Sequence, residues 1–96
     1  MTCRFTSAAL RELKDSLLDY ESKEQGLGAR FLAEVDGAIA RILMAPEAWR
    51  RLSARTRRCL LHRFPFGVLY QIRGREILLV SVMDLRRDPV SWRKYL

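Results

Sequence analysis

The chain predicts an α+β fold: an N-terminal strand and a helical hairpin packed on a small antiparallel β-sheet, closed by a short C-terminal helix. Three observations carry this. Apolar residues recur at helical spacing through the first half. The second half runs in short, β-rich segments around a tight turn at Arg73-Gly74-Arg75-Glu76. The length, 96 residues, closes one core of two or three layers, so residues 1–96 are read as one domain. Hydrophobic residues make up 49% and charged residues 30%, which argues against wholesale disorder. No apolar run approaches the roughly 18–20 residues that span a bilayer. The opening MTCRFTSAAL continues into an amphipathic helix and does not resemble a secretory leader. A cytoplasmic protein without membrane association is therefore expected.

Met1 to Phe5 alternates and reads as an edge strand. Thr6 is the expected N-cap of a first helix, with Phe5 and Leu10 stapling across it. That helix runs to about Glu24 on a stripe of Leu10, Leu13, Leu17 and Tyr20. Gln25-Gly26-Leu27-Gly28 breaks it, as a short link between antiparallel helices does. A second helix is expected from about Gly28 to Met44, with Phe31, Leu32, Val35, Ile39, Ile42 and Leu43 inward, stopped by Pro46. Both stripes need a surface to cover, and the strands supply it.

Glu47 to Thr56 reads as a polar connector, with Trp49 tucked against the core. Arg58 to Phe64 alternates as a strand, Cys59 and Leu61 on one side and Leu60, His62 and Phe64 on the other. After a tight connection at Phe64-Pro65-Phe66-Gly67, a strand runs to Ile72, and Gly74-Arg75 forms a type II′ hairpin. That register pairs Arg73 with Glu76, Ile72 with Ile77, Tyr70 with Leu79 and Val68 with Ser81. It sets Phe66, Val68, Tyr70, Ile72, Ile77, Leu79 and Met83 under the helices. The opposite face, with Leu69, Gln71, Leu78, Val80 and Val82, is too apolar to be fully solvated. The C-terminal segment, another protein, or both are expected to cover it. Asp88-Pro89 reads as a helix start, with Val90 and either Trp92 or Tyr95 inward and Arg93 and Lys94 outward.

The formal net charge is +7, unevenly placed. Residues 1–46 carry six Lys/Arg against seven Asp/Glu, and residues 47–96 carry twelve against four. Fifteen of the eighteen basic residues are arginine, the side chain whose planar fork matches phosphate and carboxylate. Such a field suits an anionic partner: nucleic acid, ribosome or an acidic protein segment. Codon bias together with solubility is the competing reading, and the cluster Arg50, Arg51, Arg55, Arg57 and Arg58 fits a binding loop or a solvated one equally. Two cysteines, Cys3 and Cys59, and one histidine lack metal-ligand spacing. Reduced thiols, no metal and no cofactor are expected.

HRFPFGVLYQI followed by ILLVSVMDLRRDPVSW resembles the RelE/ParE superfamily of bacterial type II toxin–antitoxin toxins, and the ParE branch in particular. The likeness covers nearly the whole chain, from Phe5-Thr6 and Ala8-Ala9-Leu10 onward. It implies the fold given above and one of two activities. RelE-like members cut mRNA in the ribosome, whereas ParE-like members poison DNA gyrase without a nuclease centre. Cleavage by the 2′-hydroxyl needs a base, cations for the phosphorane and an acid for the leaving oxygen. Gly67 stands where RelE-like enzymes place an arginine, and Asp84 stands where a histidine often precedes the Arg-Arg-Asp-Pro element. His62, Arg63 and Arg86 are the weak catalytic candidates. Against these stand a half-exposed strand histidine, a solvated Arg63, and an ion pair of Arg86 or Arg87 with Asp84 or Asp88.

The constellation being incomplete, binding is favoured over catalysis. Arg57, Arg58, Arg63, Arg86, Arg87, Trp92 and Arg93 are the expected contacts to target or antitoxin. The resemblance also implies the partners: a ParD-like antitoxin with an acidic, amphipathic C-terminal segment, forming a hetero-oligomer, and gyrase or, alternatively, ribosome and mRNA as target. An endoribonuclease of the RelE type, and an inactive toxin fold that only binds antitoxin, are the alternatives.

Overall fold

The computed structural model describes residues 1–87. The expected C-terminal helix, with Trp92 and Arg93, lies outside them. The chain runs β1 (Thr2–Phe5), α1 (Ser7–Lys23), α2 (Leu27–Met44), β2 (Arg50–Arg51), β3 (Arg57–Leu60), β4 (Phe66–Arg73) and β5 (Glu76–Asp84). One five-stranded sheet has the order β1-β5-β4-β3-β2, and the two helices pack on it. The sheet is mixed, because β1 lies parallel to β5 while every other pair is antiparallel. A helical hairpin between β1 and the rest returns the chain without reversing the strand direction, which is how a parallel neighbour arises.

Thr6 ends β1 and caps α1: its Oγ1 accepts from Ala9 N at 3.1 Å. Ala9 and Leu13 are the buried residues of α1, with Leu17 and Tyr20 packed against the same core. Leu10, expected to staple to Phe5, is exposed instead. In α2, Phe31, Val35, Ala38 and Ile42 are fully buried, whereas Leu32 and Leu43 remain exposed at the margin of the stripe. Gly26 adopts φ +87° at the cap of α2. The Glu21 carboxylate accepts from Gly26 N and Gly28 N at 2.9–3.1 Å, satisfying two of the first N–H groups of α2 from the last turns of α1.

The core closes when Phe31, Val35, Ala38 and Ile42 meet Cys59, Leu61, Val68, Tyr70, Ile77 and Leu79. Tyr20, Phe31, Phe64 and Phe66 form an aromatic cluster at one end, with centroids 4.9–6.0 Å apart. Phe64 therefore turns under the helices and leaves the His62 side. The reason is that β3 ends at Leu60, four residues earlier than expected. The connection then turns, with Leu61 N donating to Phe66 O and Phe66 N to Phe64 O. Trp49 does tuck in, its Nε1 donating to Arg41 O at 3.3 Å. Tyr70 donates its hydroxyl to Pro46 O, and burial pushes the phenol up to about 12.

The hairpin forms as expected. Arg73 faces Glu76, and only Gly74 of the two turn residues has positive φ, at +61°, the type II′ pattern. The register holds through Tyr70 and Leu79. It then shifts, because Leu69 faces Ser81 and leaves Val80 unpaired in a β-bulge. One extra residue moves the remainder of the strand to the other face. Val68 consequently faces Val82, not Ser81. Val82 joins the main core and Met83 joins the opposite face with Leu69, Leu78 and Val80, the reverse of the alternation read from sequence. Leu52 and Leu85 pack on this second cluster, whose members are no more than 8% exposed. It is a second small core and not an open docking face.

The bulge is supported from α1. The Glu12 carboxylate accepts from Ser81 Oγ at 2.9 Å and from Val82 N at 3.3 Å. Ser81 is fully buried. Glu12→Ala is therefore expected to lower stability by about 2–3 kcal/mol by stranding a buried hydroxyl and a backbone N–H. A fall in the urea midpoint at unchanged slope checks this.

Candidate functional site

The expected binding residues fall on two regions of the described chain. His62 and Arg63 sit on the β3–β4 connection, where their backbone N–H groups donate to Glu34 Oε1 at 2.8 and 3.0 Å. Glu34, on α2, thus fixes the turn. Arg63 lines a hollow of about 360 Å³ with Leu27, Arg30, Ala33, Glu34 and Phe64. His62 and Arg63 are both exposed.

Arg86 and Arg87 follow β5. Arg86 makes a two-pronged ion pair with Asp84, Nε to Oδ1 at 3.0 Å and Nη2 to Oδ2 at 2.9 Å. The competing reading of this arginine, an ion pair with Asp84, is the arrangement found. Arg87 makes no ion pair among the described residues. Both arginines line a hollow of about 260 Å³ with Asp15, Ser16, Asp19, Tyr20, Phe66 and Asp84. The bond from Arg86, foremost, holds the Asp84 carboxyl below the usual range, with burial opposing.

Arg57 is occupied within the fold. Its Nη1 donates to Glu47 O at 2.8 Å and Trp49 O at 3.0 Å, tying the connector to the sheet. Arg58 lies on β3 directly opposite Arg50 of β2. The connector between Glu47 and Thr56, read from sequence as a loop, thus supplies an edge strand. Two residues suffice for this because Leu52 N and Ser53 N also close onto Thr56 O. Gly67 is buried beneath the Arg58 stem, and a Cβ there would lie 3.0 Å from Arg58 Cγ. An arginine at this position would have to displace that stem.

The two hollows adjoin where Tyr20 packs edge-on against Phe64. Arg63 and Arg86 line hollows with no residue in common. Residue type made the arginines legible. The carboxylates Glu34 and Glu12 were not, since each acts on residues roughly 28–70 positions away in sequence, beyond any local pattern. Cys3 and Cys59 are free thiols, and no group of three metal-ligating side chains occurs among the described residues. No helix among the described residues is long and apolar enough to cross a membrane.

A match to the family described as ParE toxin of type II toxin-antitoxin system, parDE, spans residues 3–89. The chain belongs to the ParE toxin family. Its fold is similar to a solved chain of the chromosomal ParDE toxin–antitoxin system from P. aeruginosa, with a TM-score of 0.59. That likeness covers 85% of this chain and 92% of the other at 19% identity. Comparison with curated proteins finds no significant match. In this ParE toxin the Arg-Arg element follows β5 in a turn, and the bulge of that strand is held by α1. Asp84, with its carboxyl depressed, adds stability that is present above the ordinary carboxylate pKa and lost as pH falls through the lower folded value. Asp84→Asn is expected to flatten the acid limb of a midpoint-against-pH curve. An unaltered acid limb would count against the ion pair.

Proposed function

We propose that this ParE toxin arrests growth by binding and not by cleavage, with the gyrase–DNA complex as its target in the cytoplasm. The observation that carries the reading is made at Gly67, which is buried beneath a side chain of the fold itself. Gly67 lies under the Arg58 stem where a nuclease would want an arginine, and an arginine there would have to displace that stem. Phosphoryl chemistry needs its base and its cations around one phosphorus atom. Binding needs only a displayed surface, and Arg86 and Arg87 are exposed on the segment leaving β5.

A cognate antitoxin with an acidic, amphipathic segment neutralises the toxin and forms a hetero-oligomer with it. The hollow beside α2 supports this part of the reading. Leu27, Ala33 and Phe64 give it apolar walls, and Arg30 and Arg63 stand beside them. The Arg30–Glu24 pair at 2.9 Å is largely exposed and exchanges readily for an incoming carboxylate.

The test is a supercoiling assay with purified gyrase and toxin, beside a translation assay with ribosomes and mRNA. Inhibited supercoiling with intact mRNA is the expected result. Transcripts cut in the ribosomal A site would overturn the reading. No effect in either assay, with antitoxin binding intact, would identify a fold that has kept only its antitoxin.

A further inference from the structure

Between Glu47 and Glu76 the chain carries eight arginines and not one Asp or Glu. Most of the arginines elsewhere in the described chain find a carboxylate or a carbonyl: Arg4 pairs with Glu76, Arg30 with Glu24 and Arg86 with Asp84, while Arg41 donates to Leu60 O. Within the acid-free stretch, Arg57 is satisfied by two backbone carbonyls. Arg50 and Arg58 are different. They face each other directly across β2 and β3, and neither has an ion pair among the described residues. Like charges directly opposite on an antiparallel pair are destabilising.

Arg58 is also held in place. Its stem lies on the bare backbone of Gly67, so close that a Cβ there would stand 3.0 and 3.1 Å from its Cγ and Cδ. Its Nε is buried and has no acceptor among the described residues. A buried donor without a partner costs the fold its desolvation energy. Burial, then the Arg50 charge, both lower the pKa of the Arg58 guanidinium, as expected of a cation lacking its counter-charge. An incoming oxyanion between the two guanidinium groups would supply the missing counter-charge and offset the repulsion between them.

We propose that Arg50 and Arg58 form a preorganised seat for a phosphate of a nucleic-acid backbone. Phosphate is favoured over a protein carboxylate because the acid-free field extends well beyond the pair. Arg51 and Arg55 are exposed on the same segment, and a carboxylate discharges one fork while leaving the rest of the field unmet. A polynucleotide presents a negative charge at every step along its length. This goes beyond the gyrase reading and stands or falls separately, because it is measured on the isolated toxin without any enzyme.

The experiment is fluorescence anisotropy of a labelled duplex DNA oligonucleotide titrated with the toxin at several salt concentrations. Arg50→Ala is expected to weaken binding about tenfold and to reduce the salt slope by about one. Arg58→Lys keeps the charge and loses the fork, so affinity falls by a similar factor while the slope stays. Lys14→Ala, on the exposed side of α1, leaves both unchanged. Arg50 is exposed and its removal leaves the fold intact, so it decides the matter alone if Arg58→Lys does not fold. Failure of the wild type to bind the duplex overturns the proposal, as does full affinity in Arg50→Ala. Poly-glutamate displacing the duplex at equal charge concentration also overturns it, and assigns the seat to an acidic protein segment.

Discussion

Gly28→Ala is expected to destabilise the toxin by about 2–3 kcal/mol, the cost of overpacking a site that cannot move. The added Cβ would stand 2.9 Å from Leu17 O, a backbone atom, and 3.0 Å from Glu21 Oε1. Relief requires either parting α1 from α2 or displacing the carboxylate. The second route breaks the bonds from Gly26 N and Gly28 N, the bonds that start α2. Both outcomes are unfavourable, so the strain has no inexpensive exit. Gly37 is the internal control. It lies within the same helix, and a Cβ there meets only Arg41 Nη1, at 3.5 Å. Gly37→Ala is therefore expected to stabilise by about 0.5–1 kcal/mol, the ordinary helix gain. Opposite shifts of the urea midpoint for two Gly→Ala changes in one helix are the sign to look for. A shift of the same sign in both would mean that the close approach of the helices is not the cause.

The largest functional effect is expected from Arg86→Ala/Arg87→Ala. Each guanidinium engaged by an anionic group contributes on the order of 1.5–3 kcal/mol through charged hydrogen bonds. Loss of the pair should reduce the potency of supercoiling inhibition by at least about tenfold. Arg86 is bound to Asp84 in the free toxin, so its engagement by a target requires that fork to open or to be shared. Asp84→Asn separates these possibilities. If the carboxylate holds Arg86 back, the variant is the more potent inhibitor. If it aims Arg86 at the target, the variant loses potency with the double mutant. Wild-type potency in Arg86→Ala/Arg87→Ala would refute the assignment of these residues.

The helices were legible because their signals are local. Thr6, the paired glycines and Pro46 mark the ends, and the 3.6-residue period marks the inward face. Leu10, Leu32 and Leu43 misled because they lie at the stripe margins, where a few tens of degrees of helix rotation decide burial. The hairpin was equally legible from Arg73-Gly74-Arg75-Glu76. The bulge was not, and the reason is physical: ILLVSVM is apolar on both faces, so no polar position marks the point where alternation slips. The strand register shows it, and the reach of Glu12 to Ser81 and Val82 supports it. Among the candidate residues the same division holds. Arginines were recognisable by type, but whether each was already engaged depended on partners set by tertiary packing. Arg57 and Arg86 proved engaged, Arg58 proved short of an acceptor, and Arg50 lay in a stretch whose composition reads as loop.

The parallel docking of β1 has a consequence for the order in which the molecule can be made. Thr2 pairs with Glu76 and Phe5 with Leu79, so among the described strands the first is held by the fifth. During translation the helical hairpin emerges well before the central strand it must cover, and β1 has no neighbour until β5 has left the ribosome. Late, long-range pairing of this kind slows folding and delays its completion. The sheet of this toxin therefore cannot close until β5 is available to receive β1.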